Sequence, residues 1–295
     1  MQENYSYDNR GNMKSGMLHL YTGGDSLYYN EENRLEKVAL MSGSTVYYIH
    51  YQYDYNGQRV RSSKEGFYTE VRRYVGQWEL YRKILTSTGV VNLERETLHV
   101  MDDMARVAII DTPIGVSGED QTLRYQFSNN LGTATLELDG DANIISYEEY
   151  YPFGNTSYQA GRTTAEVQRK RYRYIGKERD DETGLYYIRA RYYCPWLLRW
   201  MAPEPINSEY YNMDHGQPGR NLERQFVELT ASSYEYCYDN PVRFSNPSGE
   251  QAPGRRIKAF HDDAARVIST IPSNALLPPP SPTPSLQEVT GLLHL

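Results

Sequence analysis

Tyr51-Gln52-Tyr53-Asp54-Tyr55-Asn56-Gly57-Gln58 is the stretch whose reading decides the fold. The same unit stands earlier as Tyr5-Ser6-Tyr7-Asp8-Asn9-Arg10-Gly11-Asn12. A worn copy, Tyr28-Tyr29-Asn30-Glu31-Glu32-Asn33-Arg34-Leu35, lies between them. Asp8, Asn30 and Asp54 therefore recur at intervals of a little over twenty residues, the mark of stacked supersecondary units. In a strand, Tyr-x-Tyr puts two rings on one face, where they can stack on neighbouring strands. The Asp opens a turn by accepting from a backbone N–H two residues on. Three residues past it stands Gly or Asn, types that tolerate φ > 0. Each unit thus predicts a β-hairpin. A lone hairpin is marginal, so neighbours must stack to bury their apolar faces.

Composition narrows the class. The chain has 295 residues, room for one large or two modest domains. Tyr contributes 29 aromatics against 6 Phe and 3 Trp, a skew suited to amphipathic sheet faces. The formal charge of −7 argues against a dedicated nucleic-acid binder. No apolar run approaches about 18 residues, so no membrane span is expected. Met1-Gln2-Glu3-Asn4-Tyr5 lacks the basic and apolar regions of a signal peptide, which points to synthesis in the cytoplasm. It also falls inside a repeat, as though the chain were the C-terminal part of a longer array. Cys194 and Cys237 are too few for a disulfide framework and read as unpaired thiols. The 6 histidines are scattered without ligand spacing, so neither metal nor cofactor is expected.

Along the chain, strands are predicted at Phe67–Val75, Trp78–Leu85, Val90–Glu94, Thr97–Val100 and Val107–Ile110. Ala134–Leu138 and Ile144–Tyr151 form a hairpin around Asp139-Gly140-Asp141. Residues 171–176 and 185–193 predict another. In it Tyr186, Ile188, Ala190 and Tyr192 share one face, and Tyr187, Arg189, Arg191 and Tyr193 the other. The basic run Arg169, Lys170, Arg171, Arg173, Lys177 and Arg179 reads either as a polyanion patch or, more plainly, as an outer strand face opposite Glu148 and Glu149. Beyond Gly249, Ile257, Phe260, Ala264, Val267, Ile268 and Ile271 fall at helical spacing. Pro272, Pro278, Pro279, Pro280, Pro282 and Pro284 then mark a polyproline-like tail.

Tyr174-Ile175-Gly176-Lys177-Glu178-Arg179-Asp180, with Thr183-Gly184-Leu185-Tyr186-Tyr187 and Ala190-Arg191-Tyr192-Tyr193, resembles the RHS-repeat-associated core domain. Trp196, Arg199 and Trp200 continue the pattern. So do Tyr150-Tyr151-Pro152-Phe153-Gly154, Asp239-Asn240-Pro241-Val242 and Asn246-Pro247-Ser248-Gly249. Arg95–Asp103 and Leu131-Gly132-Thr133-Ala134 resemble the version in the C component of insecticidal toxin complexes. The resemblance implies an all-β fold, antiparallel hairpins forming a curved, partial RHS cocoon with a core plug. A short C-terminal helix and Pro-rich tail would follow. The implied division is a YD-repeat shell at 1–165, the core at 166–250 and a variable segment at 251–295.

The function implied is that of a structural shell and plug that encapsulates or presents a C-terminal segment. Its partners would be that segment and another RHS shell subunit, released within a secreted toxin complex. The alternative is an intramolecular aspartyl-type protease that frees its own C-terminal peptide. Asp180 matches one family aspartate, Arg179 its neighbouring arginine, and Glu204 stands where the second aspartate falls. Glu204 adds a methylene, Asn246 replaces the aspartate of a later Asp-Pro, and Glu250 follows Gly249 where an apolar residue is usual. A longer polar stretch also separates Trp200 from Tyr234. A weaker alternative, by likeness to teneurins, is a cell-surface or glycan-binding module. The plainer reading of Asp180 and Asp181 is a turn, and of Glu204 a solvated loop acid.

Overall fold

The repeat units do form hairpins, and their turns share one chemistry. Asp8 Oδ1 accepts from the backbone N–H of Arg10 at 2.9 Å and of Asn12 at 2.8 Å, joining β1 (Ser6–Tyr7) to β2 (Met13–Ser15). Asn30 does the same for Glu32 and Arg34, and Asp54 for Gln58. The fourth turn residue is left-handed each time: Gly11, Asn33 and Gly57 have φ of 86°, 61° and 76°. The device recurs at Asn129, where no turn was expected, and at the expected Asp139 turn. Asn129 accepts from Leu131 and Thr133, with Gly132 left-handed. At Asp139 the left-handed residue is Ala142, at φ 64°, a conformation that Gly would adopt without strain.

The computed structural model describes residues 5–15, 25–42, 44–103, 105–115, 120–205 and 234–250. All lie in one compact unit, Met1–Ala252. The expected helix at 257–271, the Pro-rich tail and most of the polar stretch before Tyr234 fall outside the described residues.

Twelve strands form one antiparallel sheet in strict chain order. They are β3 (Asp25–Tyr29), β4 (Leu35–Ser42), β5 (Thr45–Tyr53), β6 (Arg59–Glu65), β7 (Tyr68–Val75), β8 (Trp78–Leu85), β9 (Val91–Asp102), β10 (Ala105–Ile114), β11 (Thr122–Ser128), β12 (Ala134–Leu138), β13 (Ile144–Tyr150) and β14 (Thr156–Gly161). The strands expected at Val90–Glu94 and Thr97–Val100 are one, because Arg95 and Glu96 keep pairing on both sides, with Tyr81 and Leu80 and with Pro113 and Thr112. A short helix, α1 (Thr164–Arg169), follows, capped by Thr163.

The core motif makes a second sheet of β15 (Glu178–Arg179), β16 (Tyr186–Ile188), β17 (Arg191–Cys194) and β18 (Arg199–Trp200). Residues 171–176 are not the strand expected. Tyr172 makes one isolated bridge to Glu178, and Tyr174–Gly176 is a single 3₁₀ turn. Residues 185–193 are likewise no single strand, since the chain reverses at Arg189-Ala190, where Arg189 has φ 46°. The reversal regroups the tyrosines. Tyr186 pairs with Tyr193 and Tyr187 with Tyr192, so Tyr193 shares a face with Tyr186 and Ile188, not with Tyr187.

That small sheet therefore has two working faces. Leu185, Tyr192 and Cys194 pack against Leu27, Val38, Leu40, Ile49 and Tyr51 of the large sheet and against Met13 of the separate β1–β2 hairpin. Tyr186, Ile188 and Tyr193 pack against Tyr174, Trp200 and Tyr236. The rings of the repeat also stack differently from expectation. Tyr51 lies 5.3 Å from Tyr192 and Tyr53 6.4 Å from Tyr187, so they meet the core motif and not a neighbouring strand. Cys194 and Cys237 are unpaired and buried, and burial pushes both thiols up.

The buried face is mainly apolar in the first part of the large sheet and mainly polar further on. Among the described residues of β8 to β13 the buried apolar side chains are only Ala108, Ile109, Ala134 and Ile145, against Glu79, Thr97, His99, Asp111, Arg124, Gln126, Glu137, Ser146 and Glu148. The alternating partners Tyr125, Phe127, Ile144 and Tyr147 are exposed. The rule that stacking buries apolar faces fails here, because the segment covering these strands is Arg169–Glu178, which brings charge of its own.

Candidate functional site

Arg59, the first residue of β6, carries the centre of the site. It is 2% exposed. Its Nη1 donates to both oxygens of Asp180 at 2.9 and 3.0 Å, and to the Tyr192 hydroxyl at 2.9 Å. Its Nη2 donates to Glu178 at 2.5 Å and to the Tyr74 hydroxyl at 3.2 Å. The Tyr187 ring covers the guanidinium at 4.4 Å. A fork of this kind suits two carboxylates at once, as a lysine could not. Tyr51 completes the grip by donating to Asp180 at 2.8 Å.

The network continues across the β7–β9 face. Arg171 bonds both Glu178 and Glu79, and Tyr172 donates to Glu79. His99 Nε2 lies 2.7 Å from Glu79. Further along, Glu148 accepts from Arg173 at 2.6 Å, Thr156 at 2.6 Å and Tyr150 at 2.8 Å, with Lys170 Nζ at 3.2 Å. The middle of the basic run, Lys170 to Arg173, is thus neither a polyanion patch nor an outer face. Lys170, Arg171 and Arg173 are inward ion-pair partners, since a buried charge is tolerated only when paired. Glu148 is among their acids as expected. Glu149 is not, and accepts instead from Tyr147.

Two carboxyls share Arg59 and are driven apart. Burial raises Glu178, but Arg171 and then Arg59 outweigh it and hold the group below its ordinary range. Burial also raises Asp180. Arg59 opposes this, but the charges of Glu178 and Glu182 add to it, and the group is pushed up to about 6. Glu178, with a second arginine, keeps the negative charge, and Asp180 becomes the proton acceptor of the pair. Asp180 also lines a cavity of about 530 Å3 between the large sheet and residues 165–182. Arg72, Arg95, Arg124, Asp181 and Glu182 share that lining.

The other residues singled out in the sequence sit differently. Arg179 donates to the Gly184 carbonyl at 3.1 Å and to Thr156 at 3.2 Å, while Arg59 supplies the guanidinium on Asp180. The charges acting most strongly on Asp180 are those of Arg59, Glu178 and Glu182, whereas the charge of Glu204 acts on Arg191. Arg191 Nε donates to the Gly249 carbonyl at 2.6 Å. Tyr192 reaches Arg59 and Arg191 reaches Gly249, so Asp180 and the Asn246–Glu250 segment engage opposite faces of β17. Arg59, Tyr51 and Glu178 escaped the sequence reading. The one available signal was Arg59 itself, the long residue that opens the return strand after Gly57.

A sheet of sequential hairpins closing on a Gly-Lys-Glu-Arg-Asp core defines an RHS-type shell with its associated core. The chain belongs to this class, and its core is similar to that of the C component of insecticidal toxin complexes. Toxin subunits YenC1 and YenC2 of Yersinia entomophaga are 32% and 30% identical to it, over 84% and 80% of this chain. The chain spans only 24% and 23% of their lengths. The crystal structure of TcdB2-TccC3-TEV matches at a TM-score of 0.64 and 25% identity, over 83% of this chain and 13% of that one. No family model matches the chain.

Proposed function

We propose that the chain is the end section of an RHS shell and the core that closes it, a scaffold that encapsulates or presents the segment beyond residue 250. One observation carries the reading. Arg59 of the repeat array, buried, holds Glu178 and Asp180 of the core motif together, so shell and core form one body. The division into shell to 165, core to 250 and a variable segment after it belongs to this reading. A partner shell subunit would fit the chain at the edge of β3, which among the described residues forms its ladder with β4 alone, since unpaired backbone groups invite strand addition. The similar toxin subunits and the TcdB2-TccC3 complex support such a partner. Limited trypsin digestion tests the scaffold: cuts should gather beyond residue 250 while the strands of β5 to β14 survive. Early cutting inside β6 to β9, which are rich in Arg and Lys, would sink the reading.

A second reading, intramolecular cleavage by an aspartyl-type pair, is favoured by Asp180 alone, whose carboxyl is pushed up to about 6 and can hold a proton near neutrality as one member of such a pair must. In this reading Asp180 and Glu204 act on the chain near residues 250–260, with Arg179 in support. The longer Glu204 side chain and the altered Asn246–Glu250 segment oppose it, since misplacement by about 1 Å costs about a hundredfold. The purified chain should therefore show its intact mass, and Glu204→Asp should permit slow cutting at most. A wild-type chain already cut near residues 250–260, with Asp180→Asn intact, would instead establish the protease.

A further inference from the structure

We infer that Lys177, Arg106 and Arg189 form a binding site for a phosphate-class oxyanion. Three elements bring them together. Arg106 of β10 donates from Nη1 to the carbonyl of Gly176 at 3.3 Å, beside Lys177. Glu178 pairs with Tyr187, so Lys177 stands level with Ile188, and Arg189 follows at the reversal between β16 and β17. Lys177 and Arg106 are half-buried and Arg189 is exposed beside them, which leaves an anion a way in.

Their charges are not answered by an acid among the described residues. Among the described residues, neither Lys177 Nζ nor the Arg189 guanidinium meets a hydrogen-bond or ion-pair partner. Arg106 stacks on the Tyr172 ring at 3.6 Å, and its buried Nε has no acceptor. The contrast with nearby cations is sharp. Arg59, Arg124, Lys170, Arg171 and Arg173 each bond a carboxylate. Glu79 and Glu178 act on Arg106 from a distance, but Arg171 already bonds both. Burial, then Arg106, then Arg189 depress the Lys177 ammonium, with no acid among the described residues opposing them. Lys177 and Arg106 are desolvated cations without a counter-charge, which is costly, and an external anion relieves that cost while Arg189 reaches it from the solvent side. Two guanidinium forks and an ammonium match a dianionic oxyanion, which accepts several charge-assisted bonds at once.

The test uses the full chain and acetylation of its lysines by a neutral N-hydroxysuccinimide ester, read residue by residue by mass spectrometry. Inorganic phosphate is titrated against chloride at matched ionic strength. Labelling of Lys177 should slow saturably, about tenfold once phosphate reaches ten times its Kd, while Lys14 and Lys83 are unaffected. A phosphomonoester arm distinguishes free phosphate from a phosphoryl group on a larger molecule. Arg189→Gln should raise the phosphate midpoint about tenfold. The assignment is overturned if chloride protects equally, if phosphate leaves Lys177 labelling unchanged, or if Arg189→Gln does not move the midpoint.

Discussion

Arg59→Met should destabilise the protein by about 3–5 kcal/mol at pH 8, the cost of leaving a buried charge without its partner. The substitution keeps much of the side-chain volume, so the loss is electrostatic. It strips Asp180 of its only bonded cation among the described residues and leaves Glu178 with Arg171 alone. The pH dependence identifies the cause. In the native protein Asp180 sits at about 6, above its ordinary 3.8. Its contribution to stability is present in full below the ordinary value and lost as pH rises through about 6. Without Arg59 both carboxyls are raised further, the folded state takes up more protons, and the variant recovers as pH falls. Urea denaturation at pH 5 and pH 8 should show a smaller deficit at pH 5. An equal deficit at both would mean that Arg59 acts through packing alone.

Glu148→Gln should cost a similar amount, about 3–5 kcal/mol, with the opposite pH signature. Glu148 is fully buried and is the acid bonded by both Lys170 and Arg173. Burial already depresses Lys170, and Glu148 is the first of the charges that oppose it. Remove that charge and the folded Lys170 gives up its proton more readily, while the unfolded chain keeps it. The unfolded state then binds more protons, so the variant's stability rises with pH. Its deficit should shrink between pH 7 and pH 9, by the same urea assay. Adding Lys170→Met should restore part of the loss, because contacting residues are not additive. A double variant as unstable as the sum of the singles would rule out this coupling.

What could be read from the chain alone was local. Asp8, Asn30 and Asp54 with Gly11, Asn33 and Gly57 specify their turns within five residues, through a side-chain acceptor and one left-handed backbone position. Once these turns are set, antiparallel order follows, because each hairpin can only pair with the next. The Ala134–Leu138 hairpin was legible for the same reason, and the unpaired state of Cys194 and Cys237 from their number. Periodicity failed where a reversal needed no Gly, at Arg189-Ala190, and where one strand ran through the charged pair Arg95-Glu96.

The site was legible only in part. Asp180 stands in a recognisable motif, but its partners Tyr51 and Arg59 lie 129 and 121 residues away in the chain. Nothing in the spacing of an isolated arginine shows which carboxylate it will meet. Which sheet face is buried was also undecided, since β11 alternates Arg124 and Gln126 with Tyr125 and Phe127, and either set could have turned inward. Turns and hairpin order were therefore settled by the sequence, because their causes are short-range. The inward charges, the Arg59 clamp and the unanswered Lys177 group were settled by tertiary structure, because a charge's cost and its partner exist only once distant segments exclude water together.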